Sequence, residues 1–119
     1  MPNTFLFHGI YGNPDENWFP WLKEELLSIG YEVYVPFFPS NDHLHIDDWH
    51  AAFSPFLQYI EHDSIAIAHS LGVAYLLNIA EKHSMKAAYL ISPAWGKLHN
   101  EFDTVIAPIA QQQFHWQLI

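Results

Sequence analysis

The sequence predicts an α/β fold: a three-layer α/β/α arrangement on a mostly parallel sheet of about four strands. Short apolar runs alternate with stretches of helical period, as βαβ crossovers demand. The second to fourth runs are apolar on both faces, as strands covered by helices on both sides are. With 119 residues, 50% hydrophobic and only 14% charged, the chain has the make-up of one domain around one core.

The first run, Thr4 to Ile10, breaks at Gly9 and again at Gly12-Asn13-Pro14, as a buried strand would. From Asp15 to Ile29 the period is helical: Trp18, Trp21 or Leu22, Leu26 and Ile29 share a face, with Glu24 and Glu25 opposite and Gly30 as the stop. Glu32 to Phe38 reads as the second strand, and Pro36 places it at an edge or ends its pairing early. A polar stretch, Ser40 to Asp48, leads into a helix from Asp47 to Ile60 that Pro55 weakens. Ser64 to His69 is the third strand, Leu71 to about His83 a helix, and Lys86 to Ser92 the fourth strand. One or two short helical pieces broken by Pro108 follow.

Composition removes several function classes. Thirteen acidic residues stand against four lysines, for a net charge of −9. No basic patch can form to displace counterions, so neither nucleic acid nor an anionic membrane is an expected partner. The absence of cysteine excludes disulfides and thiolate zinc sites and points to an intracellular, cytoplasmic protein. No apolar run reaches the length of about 18 residues that a membrane helix needs. The start, Met1-Pro2-Asn3-Thr4, lacks the charged and apolar regions of a signal peptide.

The sharpest local feature is Ala68-His69-Ser70-Leu71-Gly72, between an apolar strand and an amphipathic helix, close to the G-x-S-x-G pattern of a nucleophile elbow. A strand that turns at once into a helix strains the serine backbone, so residues two before and two after must be small. Gly72 meets that demand, and Ala68 meets it with one extra methyl. The helix start would present the Leu71 N–H where an oxyanion forms. A serine here would also serve as a plain helix cap, a reading that the flanking strand and helix make less favourable. The loop after the first strand, His8-Gly9-Ile10-Tyr11-Gly12, would supply a second oxyanion donor from Ile10 or Tyr11, with Gly9 allowing close approach.

Together, HG-x-x-G-x-P-x-x-N-W-F-P-W-L-K from His8 to Lys23, the elbow, and ISPAW from Ile91 to Trp95 resemble the small single-domain α/β-hydrolases of the retinoblastoma-binding-protein type. The resemblance implies an α/β-hydrolase-like fold and a serine hydrolase acting on small-molecule or peptide-like acyl substrates, esters or amides, without a cofactor. It implies Ser70 as nucleophile and the Ile10–Tyr11 loop as part of the oxyanion hole. It also implies an acid and a histidine after later strands. The 24 residues from Gly96 to Ile119 show neither: His99, Asp103 and His115 lack the expected context, and the chain stops on an apolar run, Phe114 to Ile119. The expectation is a fold cut short, with weak or no activity of its own. Among local histidines, His69 would point away from its neighbour Ser70, while His8 would shape the oxyanion loop more readily than act as base.

Two alternatives come from different classes. His43, His45 and Asp47, with Asp48 and His50, approximate the spacing of a metal-dependent hydrolase, although a solvated loop capped by Asp47 or Asp48 explains them more simply. A non-catalytic binding module, or pseudo-hydrolase, would instead use the sheet edge at Lys86 to Ser92. That edge holds no charge between its end residues, so the sequence predicts a homodimer or strand-exchanged oligomer through it. Val105 to Ile109 and Phe114 to Ile119 are expected to expose apolar surface as well.

Overall fold

Four strands, β1 (Asn3–Phe7), β2 (Glu32–Tyr34), β3 (Ile65–His69) and β4 (Ala87–Ile91), form one parallel sheet in the order β2-β1-β3-β4. The structure is a computed structural model and describes residues 2–41, 43–94 and 103–111. Helices α1 (Phe19–Ser28), α2 (Ile46–Phe53), α3 (Leu71–Ala80) and α4 (Asp103–Ala110) complete it. The predicted α/β/α architecture holds.

Strand alternation divides the core into two layers. Leu6 and Ile67 face one side, where Phe19, Trp18, Leu22 and Leu26 of the α1 region cover them. Phe5, Phe7, Ala66 and Ala68 face the other, against α3 and an aromatic group of Phe38, Trp49 and Phe53. The helix α3 is buried almost all round, as a helix without a polar face must be. In register, Phe7 lies beside Ala68, so β1 and β3 deliver their carboxyl ends side by side. That edge of the sheet carries the site.

Most elements are shorter than the sequence suggests. α1 starts at Phe19 and not Asp15, because the Asn13 side chain accepts the Asp15 N–H and holds residues 15–18 in turns. Its buried face uses Leu22, while Trp21 and Ile29 are exposed. The stop at Gly30 is as expected: φ is 93°, and the Gly30 and Tyr31 amides return to Leu27 and Leu26. β2 ends at Tyr34 and not Phe38, since Pro36 has no N–H to give. α2 ends at Phe53, and residues 54–59 tighten to a 3₁₀ turn with Pro55 in its first positions. Pro108 sits inside α4 and does not break it. The apolar face of Val105 to Ile109 is covered, contrary to expectation: Ile106 and Ile109 are buried in the core beside α3. Residues 114–119 lie outside the described residues.

Candidate active site

Ser70 occupies the turn from β3 to α3 with φ 56° and ψ −122°, a backbone conformation that only glycine adopts freely. Its hydroxyl makes no capping hydrogen bond to the helix it precedes. The plain cap reading therefore fails, and the strain has no local return. The turn is possible because its neighbours carry little. A Cβ on Gly72 would stand 2.6 Å from the Phe7 carbonyl oxygen and 2.7 Å from that of His8, so β1 passes directly against the first turn of α3. Two bonds to the end of β4 fix the elbow from its other side. The Ser70 N–H donates to the Ile91 carbonyl at 3.1 Å, and the Ser70 carbonyl accepts from the Ala94 N–H at 3.0 Å. Leu71, as the first helical residue, has no intrahelical acceptor for its amide.

The loop after β1 folds over the serine. A Cβ on Gly9 would lie 2.9 Å from Ser70 Cβ and 3.4 Å from its Oγ, so only glycine fits there without a shift. His8 is fully buried, and both its ring nitrogens are engaged. Nδ1 donates to the Gly9 carbonyl at 2.7 Å, and Nε2 accepts from the Phe38 N–H at 2.8 Å. The two bonds require the neutral ring with its proton on Nδ1. Burial holds the His8 pKa below its usual value, against the opposing pull of the Gly9 carbonyl and Glu16. His8 has no free nitrogen with which to act as a base. The Tyr11 amide donates to Ser40 Oγ at 2.7 Å. The His69 ring lies edge-on to Trp18, at 5.9 Å between ring centres.

Among the described residues, no imidazole or carboxylate is hydrogen-bonded to Ser70 Oγ. His99, His115 and the side chain of Asp103 lie outside them. The histidine-rich stretch serves other ends. His45, not Asp47 or Asp48, caps α2 by accepting the Asp47 N–H at 3.2 Å, and both aspartates sit in the first turn. His50 pairs with the Tyr75 hydroxyl at 2.9 Å. Among the described residues, no three histidines or carboxylates are placed to hold a metal ion. Phe38 and Ser40, which hold the site by backbone and hydroxyl contacts, were not marked by any motif, whereas Ile91 and Ala94 lie in the ISPAW segment, to which the sequence assigned no role. Pro39 and Pro93 beside them, which rule out regular pairing, were the available signal.

A family model described as serine hydrolase matches residues 4–118. The chain belongs to this serine hydrolase family. A similar protein, "Putative hydrolase YdeN" of Bacillus subtilis (strain 168), is 29% identical over 78 residues, covering 66% of this chain and 41% of that protein. The crystal structure of the B. subtilis ydeN product superimposes with a TM-score of 0.83 at 24% identity, over 99% of this chain and 64% of the other. A crystal structure of polyneuridine aldehyde esterase carrying one substitution matches with a TM-score of 0.64 at 19% identity, over 86% and 44% of the two chains. Both are likenesses of fold. The chain thus spans less than two thirds of each relative's length. Among its described residues, no helix is long and apolar enough to cross a membrane.

Proposed function

We propose that Ser70 is the nucleophile of a hydrolase of the retinoblastoma-binding-protein type, acting on esters or peptide-like amides. The observation that carries this reading is an uncapped serine at φ 56° between a parallel strand and a buried helix. Strain of that kind costs on the order of 1–3 kcal/mol and persists where the surroundings impose it, most often at functional sites. In the proposed reaction Ser70 Oγ attacks the acyl carbon, and its proton passes to a base. The resulting oxyanion is held by the Leu71 amide and an amide of the 10–11 loop. Collapse expels the alcohol or amine, and water then releases the acyl group.

The base and its orienting acid have no candidate bonded to Ser70 among the described residues. We place them in the part of such a fold that this chain does not share with its longer relatives. On this reading the 119-residue chain turns over activated esters feebly, since an oxyanion hole and binding alone leave roughly 10³-fold acceleration. The test is prolonged treatment with a fluorophosphonate, followed by intact and peptide mass measurement. A single adduct on Ser70, absent from Ser70→Ala, is expected. No adduct, or one on another residue, overturns the proposal.

A further inference from the structure

We infer that Ser92 and Pro93 form a one-residue bulge at the end of β4 that positions the nucleophile. With Ser92 turned left-handed, the Ala94 amide reaches the Ser70 carbonyl and holds the elbow in its strained turn. Ser92 acts through the backbone of Ser70 and is a positioning residue. The inference rests on the Ser70 reading above.

The bulge follows from counting along the ladder. His69 and Ile91 are register partners, and the Ser70 N–H donates to the Ile91 carbonyl at 3.1 Å. In a regular parallel ladder the Ser70 carbonyl would next accept from the residue two beyond Ile91. That residue is Pro93, which has no N–H. The bond comes instead from Ala94, at 3.0 Å, so β4 takes three residues where regular pairing takes two.

The extra residue is absorbed at Ser92, where φ is 46°. One step past the partners His69 and Ile91, Ser70 and Ser92 therefore stand opposite each other, at φ 56° and 46°. Only glycine enters that region freely. Ser70 leaves the sheet to begin α3, and its carbonyl also accepts the Val73 amide, at 3.1 Å, in the first turn of the helix. A β4 that ran on straight would leave that carbonyl without its strand partner. Turned at Ser92, β4 follows the elbow and keeps Ser70 tied through both its N–H and its C=O. Ser92 and Pro93 are exposed, so their side chains gain no burial from the bend. What the bend secures is the turn beneath the nucleophile.

The experiment separates reactivity from stability. Variants of the intact chain are compared with wild type by fluorophosphonate labelling, with inactivation rate and affinity resolved, and by urea unfolding. Ser92→Val, whose branched side chain resists positive φ, should lower the inactivation rate about tenfold or more and leave the affinity within about twofold. Ser92→Gly, which enters positive φ freely, should recover most of the rate lost in Ser92→Val, because the backbone and not the hydroxyl acts. The decisive variant joins Ser92→Val to Pro93→Ala, which restores an N–H where regular pairing calls for one. It should be more stable than Ser92→Val alone, yet still label about tenfold or more slowly than wild type. A merely structural role would let the rate recover with the stability. A wild-type rate in the double variant, a double variant less stable than Ser92→Val, or a tenfold loss in Ser92→Gly overturns the inference. If Ser92→Val alone does not fold, the rates of the double variant and of Ser92→Gly decide. Failure of wild-type Ser70 to label is read from the wild type alone, and it removes the nucleophile and this inference together.

Discussion

β3 and β4 lie side by side in one sheet, each five residues long and each without a lysine, arginine, aspartate or glutamate, yet they are covered oppositely. In β3, Ala66 and Ala68 are fully buried, whereas Tyr89, Leu90 and Ile91 of β4 are 56%, 40% and 39% exposed. The cause is position. β3 sits between β1 and β4, with α1 over one face and α3 over the other, while β4 has a described strand on one side only. An apolar run identifies a strand but does not say how well the strand is covered. The elbow grows out of the sealed strand and is tied by Ser70 to the open one.

The sealed side should be the less forgiving. Gly72→Ala sets a methyl against two backbone carbonyls that cannot yield, and we expect a loss of about 3 kcal/mol in urea unfolding, the upper end of ordinary overpacking. A loss under about 1 kcal/mol would mean that β1 and α3 are less tightly joined than their geometry implies.

Acid should act on the same side next. The folded pKa of His8 lies below its ordinary 6.5 through burial, and that of His50 is lowered by burial and by Lys82. The unfolded chain therefore binds protons first as pH falls. These groups contribute their full stability above about pH 6.5 and lose it progressively below, toward their folded pKa values. Unfolding midpoints measured from pH 7.5 to 5 should fall in the wild type and fall less in His8→Gln. A flat profile would show His8 already open to solvent.

At the junction, Ser70→Gly relieves the positive φ and should raise stability by about 1 kcal/mol while abolishing fluorophosphonate labelling. A destabilised glycine variant would mean that the hydroxyl contributes more than the backbone strain costs.

The open side should tolerate most. Tyr89→Lys and Leu90→Lys are expected to change unfolding free energy by less than about 0.5 kcal/mol, as exposed positions do. The same strand is where self-association is expected, by pairing of its free edge with a second copy. Light scattering at micromolar concentration should then give about twice 13.8 kDa for the wild type and a smaller mass for Leu90→Lys. A wild-type monomer ends the dimer proposal.

The turn at Ser70 was legible because its demands are local: a serine between a strand and a helix needs a small residue at Gly72, and four neighbouring letters display that. The early end of pairing near Pro36 was legible for the same reason. The hydrogen bonding of the loop after β1 was not. It depends on where Phe38 and Ser40 fall, some thirty residues away, and that is decided by how β2 leaves the sheet. The cap of α2 was missed because histidine is an uncommon capping residue, and the two aspartates after it match the usual pattern better. The cover over α4 was missed because its partner, α3, is apolar on every side and accepts a neighbour on a face that sequence periodicity does not mark.

The hydrogen bond from the Ser70 N–H to Ile91 has a consequence in time as well as in energy. A backbone amide exchanges with deuterium only when its acceptor lets go, and this one is held by the strand with the least cover. Its exchange lifetime therefore counts how often β4 frays from the sheet, and each such event removes one support from beneath the serine. A short lifetime at Ser70, beside long ones at Ala66 and Ala68, would mark the site as intermittently assembled. Anything that later covers β4 would lengthen that lifetime without touching the serine.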